Sequence, residues 1–184
     1  MSYAETLEKE LQDLPEGWIA LIETDAEKST DVGVAAIKIM TSGSYTGIVI
    51  SASRPCRNLL DMYEKKGVAR SKVFLLDTVC KGMMANPPEA DNVVHVEGST
   101  ALTEISLATS EAIKMIEGKK FLFIDSITTM LVHNKPEIFA RFIHSTLTKI
   151  RISGISGIMI SIEEETDKTV RSEIAQLCDK VIRV

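Results

Sequence analysis

The chain has 184 residues, of which 45% are hydrophobic and 26% are charged, and its formal net charge is −5. This length fits one domain with a sizeable core, and the lack of low-complexity tracts argues against long disordered segments. Because no long Lys/Arg cluster stands out from the acidic background, nucleic acid is not expected as the main ligand.

The sequence shows no sign of membrane insertion or export. No apolar run approaches the roughly 20 residues that a membrane-spanning helix needs, and the acidic, polar N-terminus does not resemble a signal peptide. The cysteines are odd in number and far apart in the sequence, so they predict no disulfide framework: Cys56, Cys80 and Cys178. We therefore expect a cytoplasmic protein with no membrane partner.

The histidines show no metal-ligand spacing along the chain: His95, His133 and His144. A zinc site is therefore not expected from the sequence, unless the fold brings distant ligands together.

The chain opens with a predicted amphipathic helix over residues 4–14, on which Leu7, Leu11 and Leu14 recur at spacings of four and three. Such a helix either docks on the protein's own core or binds a partner, and its narrow stripe of leucines favours docking. We assign residues 1–16 to this helix and a linker, and residues 17–184 to the core of a single domain.

Strands and helices then alternate along the core. The patterns predict strands at 18–22, 47–51, 73–76, 121–124, 155–162 and 180–184, and helices at 28–40, 55–66, 102–116, 136–152 and 168–177. The stretch 79–98 is less regular and contains one short candidate strand. Because these strands are apolar throughout, both of their faces are expected to be buried. The sequence therefore predicts a three-layer α/β/α fold with a mostly parallel sheet.

Ligands of such sheets bind outside the carboxyl ends of the strands. One strand end stands out: the apolar run 121–124 is followed by Asp125 and Ser126. This is the form of a Walker B motif, in which the carboxylate positions Mg²⁺ or its water. On its own the pattern is equally typical of an aspartate in a turn or a helix cap.

The segment FLFIDSITTM resembles the corresponding part of KaiC-like, RecA-superfamily ATPases, and the resemblance continues in LTEISLATSEAIKMI, GISGIMISIEEE, LCDKVIRV and SRPCRNLLDMYEKKGV. It covers about nine-tenths of the chain in matching order. The resemblance implies a RecA-like P-loop architecture, and, since such proteins often form rings, a homo-oligomer. It also implies that the phosphate-binding Walker A loop should lie at IETDAEKST, residues 22–30.

This segment keeps the pair Lys28-Ser29 but has lost both glycines of a Walker A loop, since Ile22 and Glu27 occupy their positions. The loop wraps phosphates with backbone N–H groups, some at positive φ, where a residue with a Cβ pays about 1 kcal/mol or more. The acids Glu23, Asp25 and Glu27 would add repulsion, on the order of 4 kcal/mol for one like-charge pair near 4 Å. An ordinary helix start is the simpler interpretation.

A second loss concerns the catalytic glutamate that KaiC-like ATPases usually carry just after the second strand. Residues 51–54 read Ser-Ala-Ser-Arg and supply no carboxylate, and an arginine cannot act as a general base. The acidic run 163–165 could rebuild such a site, but a solvated surface is the simpler interpretation.

We therefore expect a catalytically inactive KaiC/RecA-like domain that binds a protein partner or itself, with Lys28, Ser29, Asp125 and Ser126 as vestiges of a nucleotide site and no cofactor. One alternative is a divergent ATP-binding protein or ATPase that uses Lys28, Ser29 and Asp125 with Mg²⁺. A weaker one is binding of a metal or small molecule at the same sheet edge, with Asp125 as a candidate ligand.

Overall fold

The computed structural model describes residues 2–12 and 14–184. Seven parallel strands form one sheet, in the order β4-β3-β2-β5-β6-β1-β7. Their bounds are β1 Ile19–Thr24, β2 Thr46–Ser51, β3 Val73–Asp77, β4 Val93–His95, β5 Lys120–Asp125, β6 Ser156–Ile162 and β7 Lys180–Arg183.

Helices connect the strands and cover both faces of the sheet. They are α1 Tyr3–Leu11, α2 Ser29–Ser42, α3 Cys56–Lys65, α4 Cys80–Met83, α5 Leu102–Met115, α6 Ile127–Val132, α7 Pro136–Ile152 and α8 Lys168–Gln176, with a 3₁₀ turn at Arg70–Lys72. Successive side chains of each strand point to opposite faces of the sheet. One core cluster therefore joins the sheet to α1, α2 and α3, and a second joins it to α5, α6, α7 and α8.

The predicted α/β/α fold with a parallel sheet is confirmed, and each predicted strand and helix is present. The sequence missed the two short helices α4 and α6, since four to six residues carry too little periodicity to be recognised. It also ended β1 too early. Glu23 and Thr24 belong to this strand because they pair with Ser161 and Ile162 of β6.

The N-terminal helix docks on the protein's own core, as its leucine stripe favoured. Leu7 and Leu11 are buried against α2, and Ser2 caps the helix in a reciprocal arrangement with Glu5. The helix ends at Leu11, three residues before the predicted end at residue 14, and Asp13 of the predicted stretch lies outside the described residues.

Among the described residues, no helix combines the length and the apolar composition needed to cross a bilayer.

Gly157 of β6 lies close to α7, because a Cβ built there would lie 2.6 Å from Cδ1 of the buried Ile150. We expect Gly157→Val to lower the free energy of unfolding by about 1–3 kcal/mol, the usual cost of overpacking. Gly98→Val is the matched control, since no heavy atom lies within 4 Å of a Cβ there. Urea denaturation of both variants tests this, and equal stabilities would contradict the packing of α7 on β6.

Candidate functional site at the carboxyl edge of the sheet

The turn between β1 and α2 is closed by its own side chains. Asp25 Oδ1 accepts a hydrogen bond from the Lys28 backbone N–H at 2.8 Å, and the Lys28 ammonium pairs with the same carboxylate. The Ser29 hydroxyl donates to the Ala26 carbonyl at 3.0 Å. The hydrogen bond to Lys28 lowers the pKa of Asp25, and that to Asp25 raises the pKa of Lys28. The polar groups of Lys28 and Ser29 therefore form their hydrogen bonds within the turn.

The backbone of this turn fits its lack of glycine. Lys28 has φ −91° and ψ −16°, in the helical region, and the Ser29 N–H already donates to the Asp25 carbonyl. In the part of the chain that the structure describes, Ser44 is the one non-glycine residue with positive φ, and it lies far from the turn in the sequence. The chain therefore passes from β1 into α2 through helical turns.

Glu23 is paired with two arginines and is not a free negative charge at the turn. Its side chain is about 5% exposed, and it lies between Arg183, whose Nε donates to Oε2 at 2.8 Å, and Arg171, whose Nε is 3.6 Å from Oε1. The repulsion expected from Glu23, Asp25 and Glu27 is therefore reduced for two of them, because Glu23 and Asp25 each have a cationic partner. Glu27 is exposed on the turn.

Arg54 links the two parts of the predicted nucleotide site. Its Nη2 donates to the Thr30 hydroxyl in the first turn of α2 at 3.2 Å, and its positive charge acts on Asp125 at the end of β5. It follows β2, at the position where the KaiC-like resemblance calls for a carboxylate. The edge therefore carries a guanidinium between α2 and Asp125, which can bind an anion or neutralise Asp125 but cannot accept a proton from water.

Asp125 is partly buried at the end of β5, and burial raises its pKa to about 6, against a smaller lowering by Arg54. The same carboxylate, together with burial, raises the pKa of Tyr63 well above its usual value. Its backbone carbonyl accepts from the Ala52 N–H at 3.1 Å. Asp125 is thus the one predicted site residue whose protonation state is poised near neutral pH.

Ser126 is a helix cap. Its side chain is almost fully buried, and its Oγ accepts from the Thr129 N–H at 3.2 Å to begin α6. The next turn is held by a buried hydroxyl chain, in which Thr128 Oγ1 lies 2.6 Å from Thr166 Oγ1 and accepts from the Ile162 N–H at 2.9 Å. These bonds fix the exit of β5 to that of β6. Glu163, Glu164 and Glu165 are exposed there, beside an open cleft.

The sequence missed a cluster at the carboxyl ends of β3 and β4. Cys56, Asp77, Cys80 and His95 place one ligand atom each within 4.8 Å of one another, and the first three are buried. Burial, reinforced by Asp77, raises the pKa of the Cys56 thiol to about 12 and also raises that of Cys80. Burial raises the pKa of Asp77 as well, but hydrogen bonds from Cys80 and Val79 outweigh it, so the net shift is downward.

Spacing along the chain gave no sign of this cluster, because helices, strands and loops separate its members. The one usable signal was their position: each stands at or just after the end of a predicted strand, or at the start of a helix that follows one. Cys56 and Cys80 are far apart in the sequence, but the fold brings them together.

Comparison with known sequences identifies a family. A family model described as "Family of unknown function (DUF7504)" matches residues 23–184. Among curated proteins, none matches this sequence.

Solved structures share the fold. The uncharacterized protein PH0321 from Pyrococcus horikoshii, crystallised in complex with an unknown peptide, is 17% identical, with a TM-score of 0.72 over 100% of this chain and 84% of that one. The KaiC-like protein PH0186 from the same organism is 16% identical, with a TM-score of 0.61 over 92% of this chain and 72% of that one. At such identities the likeness shows the fold alone, and the resemblance to KaiC-like, RecA-type domains is confirmed at that level.

The raised pKa of Asp125 predicts how the free energy of unfolding depends on pH. Its pKa is about 6 in the folded chain against an ordinary value of 3.8, so between these values the folded state binds more protons and stability falls as pH rises. Asp125→Asn removes this penalty. We expect the variant to gain roughly 2 kcal/mol over the wild type on going from pH 4.5 to pH 7.5.

Urea denaturation at both pH values measures this gain. Glu164→Gln, which removes one exposed negative charge from the same edge, is the control. A wild type and an Asp125→Asn variant that respond identically to pH would show that Asp125 is solvated and not held in a low-dielectric position.

Proposed function

The chain belongs to the family of unknown function DUF7504, and from this premise we propose that it is a catalytically inactive KaiC/RecA-like domain that acts in the cytoplasm as a regulatory or protein-binding module. The observation that carries this proposal is the closed turn between β1 and α2, in which Asp25, Lys28 and Ser29 satisfy one another.

Phosphate would have to compete with these internal bonds. A phosphate loop offers free backbone N–H groups and a free lysine to its ligand, whereas here the N–H groups of Lys28 and Ser29 and the Lys28 ammonium are all bound to Asp25. Attraction at a helix N-terminus contributes only about 0.3–2 kcal/mol. The Asp25 carboxylate therefore already occupies the donors that a bound anion would use, and little free energy is left to favour the anion.

The second support comes from the end of β2, where hydrolysis would need a general base. Ser51 is fully buried and its hydroxyl donates to the Arg54 carbonyl at 3.1 Å, while the Arg54 guanidinium reaches Thr30. A hydroxyl engaged as a donor and a permanently protonated guanidinium cannot activate water. Even a bound nucleotide would then lack the group that starts its hydrolysis.

A specific observation favours the competing function, a divergent ATP-binding protein. Asp125 keeps the Walker B position at the end of β5, and Arg54 adds a cation between it and α2. In that case Asp125 would hold Mg²⁺, and Lys28 and Ser29 would open toward the phosphates. One titration separates the two functions.

We expect no heat of binding when Mg-ATP or Mg-ADP is titrated by calorimetry up to millimolar concentration, because the turn has no free phosphate ligands. The same result is expected for Lys28→Ala and Asp125→Ala. Lys114→Ala, an exposed lysine in the last turn of α5, is the control for loss of a surface charge. Micromolar binding that either of the first two variants abolishes would overturn the inactive-domain proposal in favour of the ATP-binding one.

The proposed partner is a polypeptide. PH0321, which shares the fold, was crystallised with a peptide. In the present chain, an open groove between α5 and α7 is lined by Leu107, Ile138 and Phe142, with Arg141 at its side, and Leu107 is 61% exposed. Exposed apolar side chains that line one groove are typical of a binding surface. A peptide with apolar anchors and an acidic residue would complement this groove.

A displayed peptide library selected against the wild-type protein tests this surface. We expect apolar peptides whose affinity falls at least about tenfold for Leu107→Glu. The new carboxylate would have to lose its bound water when the peptide covers it. Met115→Glu is the matched control, since Met115 is an equally exposed apolar residue of α5 outside the groove. Failure to select peptides, or equal losses in both variants, would argue against the groove. Concentration-dependent mass in light scattering that Leu107→Glu abolishes would identify a second copy of the chain as the partner.

A further inference from the structure

We propose that Cys56, Asp77, Cys80 and His95 bind one Zn²⁺ ion at the carboxyl ends of β3 and β4. The four side chains place their ligand atoms within 4.8 Å of one another. This site is independent of the proposed function. Its residues are distinct from those of the turn after β1, from Asp125 and from those of the groove between α5 and α7.

The fold brings the four ligands together from three neighbouring connections. Asp77 and His95 are register partners at the ends of the adjacent strands β3 and β4. Cys80 begins α4, three residues after Asp77, and Cys56 begins α3, just after β2. Because β2, β3 and β4 are neighbours and parallel, their carboxyl ends meet at one place. The cluster is therefore a consequence of the sheet topology.

His95 is already oriented as a metal ligand. Its Nε2 lies 2.9 Å from the Pro88 carbonyl oxygen, which can only accept, so Nε2 is assigned a proton and Nδ1 of the neutral ring presents a lone pair. That Nδ1 is buried and has no hydrogen-bond partner among the described residues, although Asp77 Oδ2 lies 3.2 Å away. A ring nitrogen fixed by a carbonyl on its far side is the usual arrangement of a metal-bound histidine. A cation bound between this lone pair and the Asp77 carboxylate would satisfy both.

Asp77 is held in place by the backbone of the two cysteine ligands. Its side chain is fully buried, and Oδ1 accepts from the N–H groups of Val79 at 2.8 Å and Cys80 at 3.2 Å. Oδ2 accepts from the Cys56 N–H at 3.3 Å. These bonds orient the first turns of α3 and α4 so that both thiols face the carboxylate. Such support around the ligands is what a preorganised metal site requires.

The donor set selects the metal. Two thiols and an imidazole are ligands for zinc and other borderline-soft ions, whereas Mg²⁺ and Ca²⁺ prefer oxygen alone. Around one tetrahedral zinc, with bonds of about 2.0–2.3 Å, ligand atoms are about 3.3–3.8 Å apart. Since the ligand atoms lie within 4.8 Å of one another, the longest pair would have to shorten by about 1.0–1.5 Å at most. Four protein ligands would leave no open position, so the zinc would be structural.

A zinc ion here would hold a short edge strand, β4, in the sheet. β4 has three residues and lies at the edge, where it pairs with β3 alone. Coordination would join this edge strand to the starts of α3 and α4. A path for the ion exists, because His95 borders an open cleft that also carries the acidic residues Glu89 and Asp91.

Metal reconstitution of the reduced 184-residue chain tests the proposal. After incubation with Zn²⁺ and gel filtration, we expect one zinc per chain by elemental analysis, and a higher melting temperature that a chelator reverses. With Co²⁺ as probe, we expect a tetrahedral visible spectrum with a thiolate-to-cobalt band. Chelator competition should show at least about a hundredfold weaker zinc binding for Cys80→Ser and for His95→Gln, because each removes a direct ligand.

One control variant and one folding check make the outcome decisive. Cys178→Ser is the matched control, because Cys178 lies outside the cluster, and it should bind zinc as the wild type does. His95→Gln keeps a donor for the Pro88 carbonyl and sits at the sheet edge, so it is expected to fold, which circular dichroism checks. The proposal is overturned if the reduced wild type retains no zinc, if His95→Gln and Cys80→Ser bind it normally, or if Cys56 and Cys80 form a disulfide and the reduced pair takes no metal.

Discussion

The position of β2 between β3 and β5 determines what can meet at the carboxyl edge of this protein. Its last residue, Ser51, is the register partner of Asp77 on one side and of Asp125 on the other. Because side chains alternate between the two faces of a strand, a slip of this register by one residue would move every side chain of the strand to the opposite face. Two aspartates with different surroundings are thereby fixed on either side of one buried serine.

The half of the edge that contains Asp125 is neutralised by the chain itself. Asp25 pairs with Lys28, Glu23 lies between Arg171 and Arg183, and Asp125 lies near Arg54. Each of these three acids therefore has a protein cation near it. This balance supports the proposed inactive domain, because a phosphate or a magnesium ion would have to displace a protein side chain before it gained any contact.

The other half, around Asp77, is organised differently. There the buried carboxylate is bonded by backbone N–H groups, and the nearest side chains are two thiols and an imidazole nitrogen without a hydrogen-bond partner in the described chain. None of these groups is a permanent cation. In the proposed zinc site the positive charge would come from the bound ion, whereas around Asp125 it comes from protein side chains.

The sequence by itself determined the α/β/α class and the succession of strands and longer helices along the chain. It could do so because continuous apolar runs such as 121–124 and amphipathic stretches such as 136–152 are local patterns. It also located Asp125 and the glycine-free turn at Lys28. Only the tertiary structure decided that Glu23 is paired with arginines, since Arg171 and Arg183 are more than 140 residues away in the chain. It alone brought Cys56, Asp77, Cys80 and His95 together, because strand order in a parallel sheet follows from crossover connections, which leave no periodic trace in the sequence.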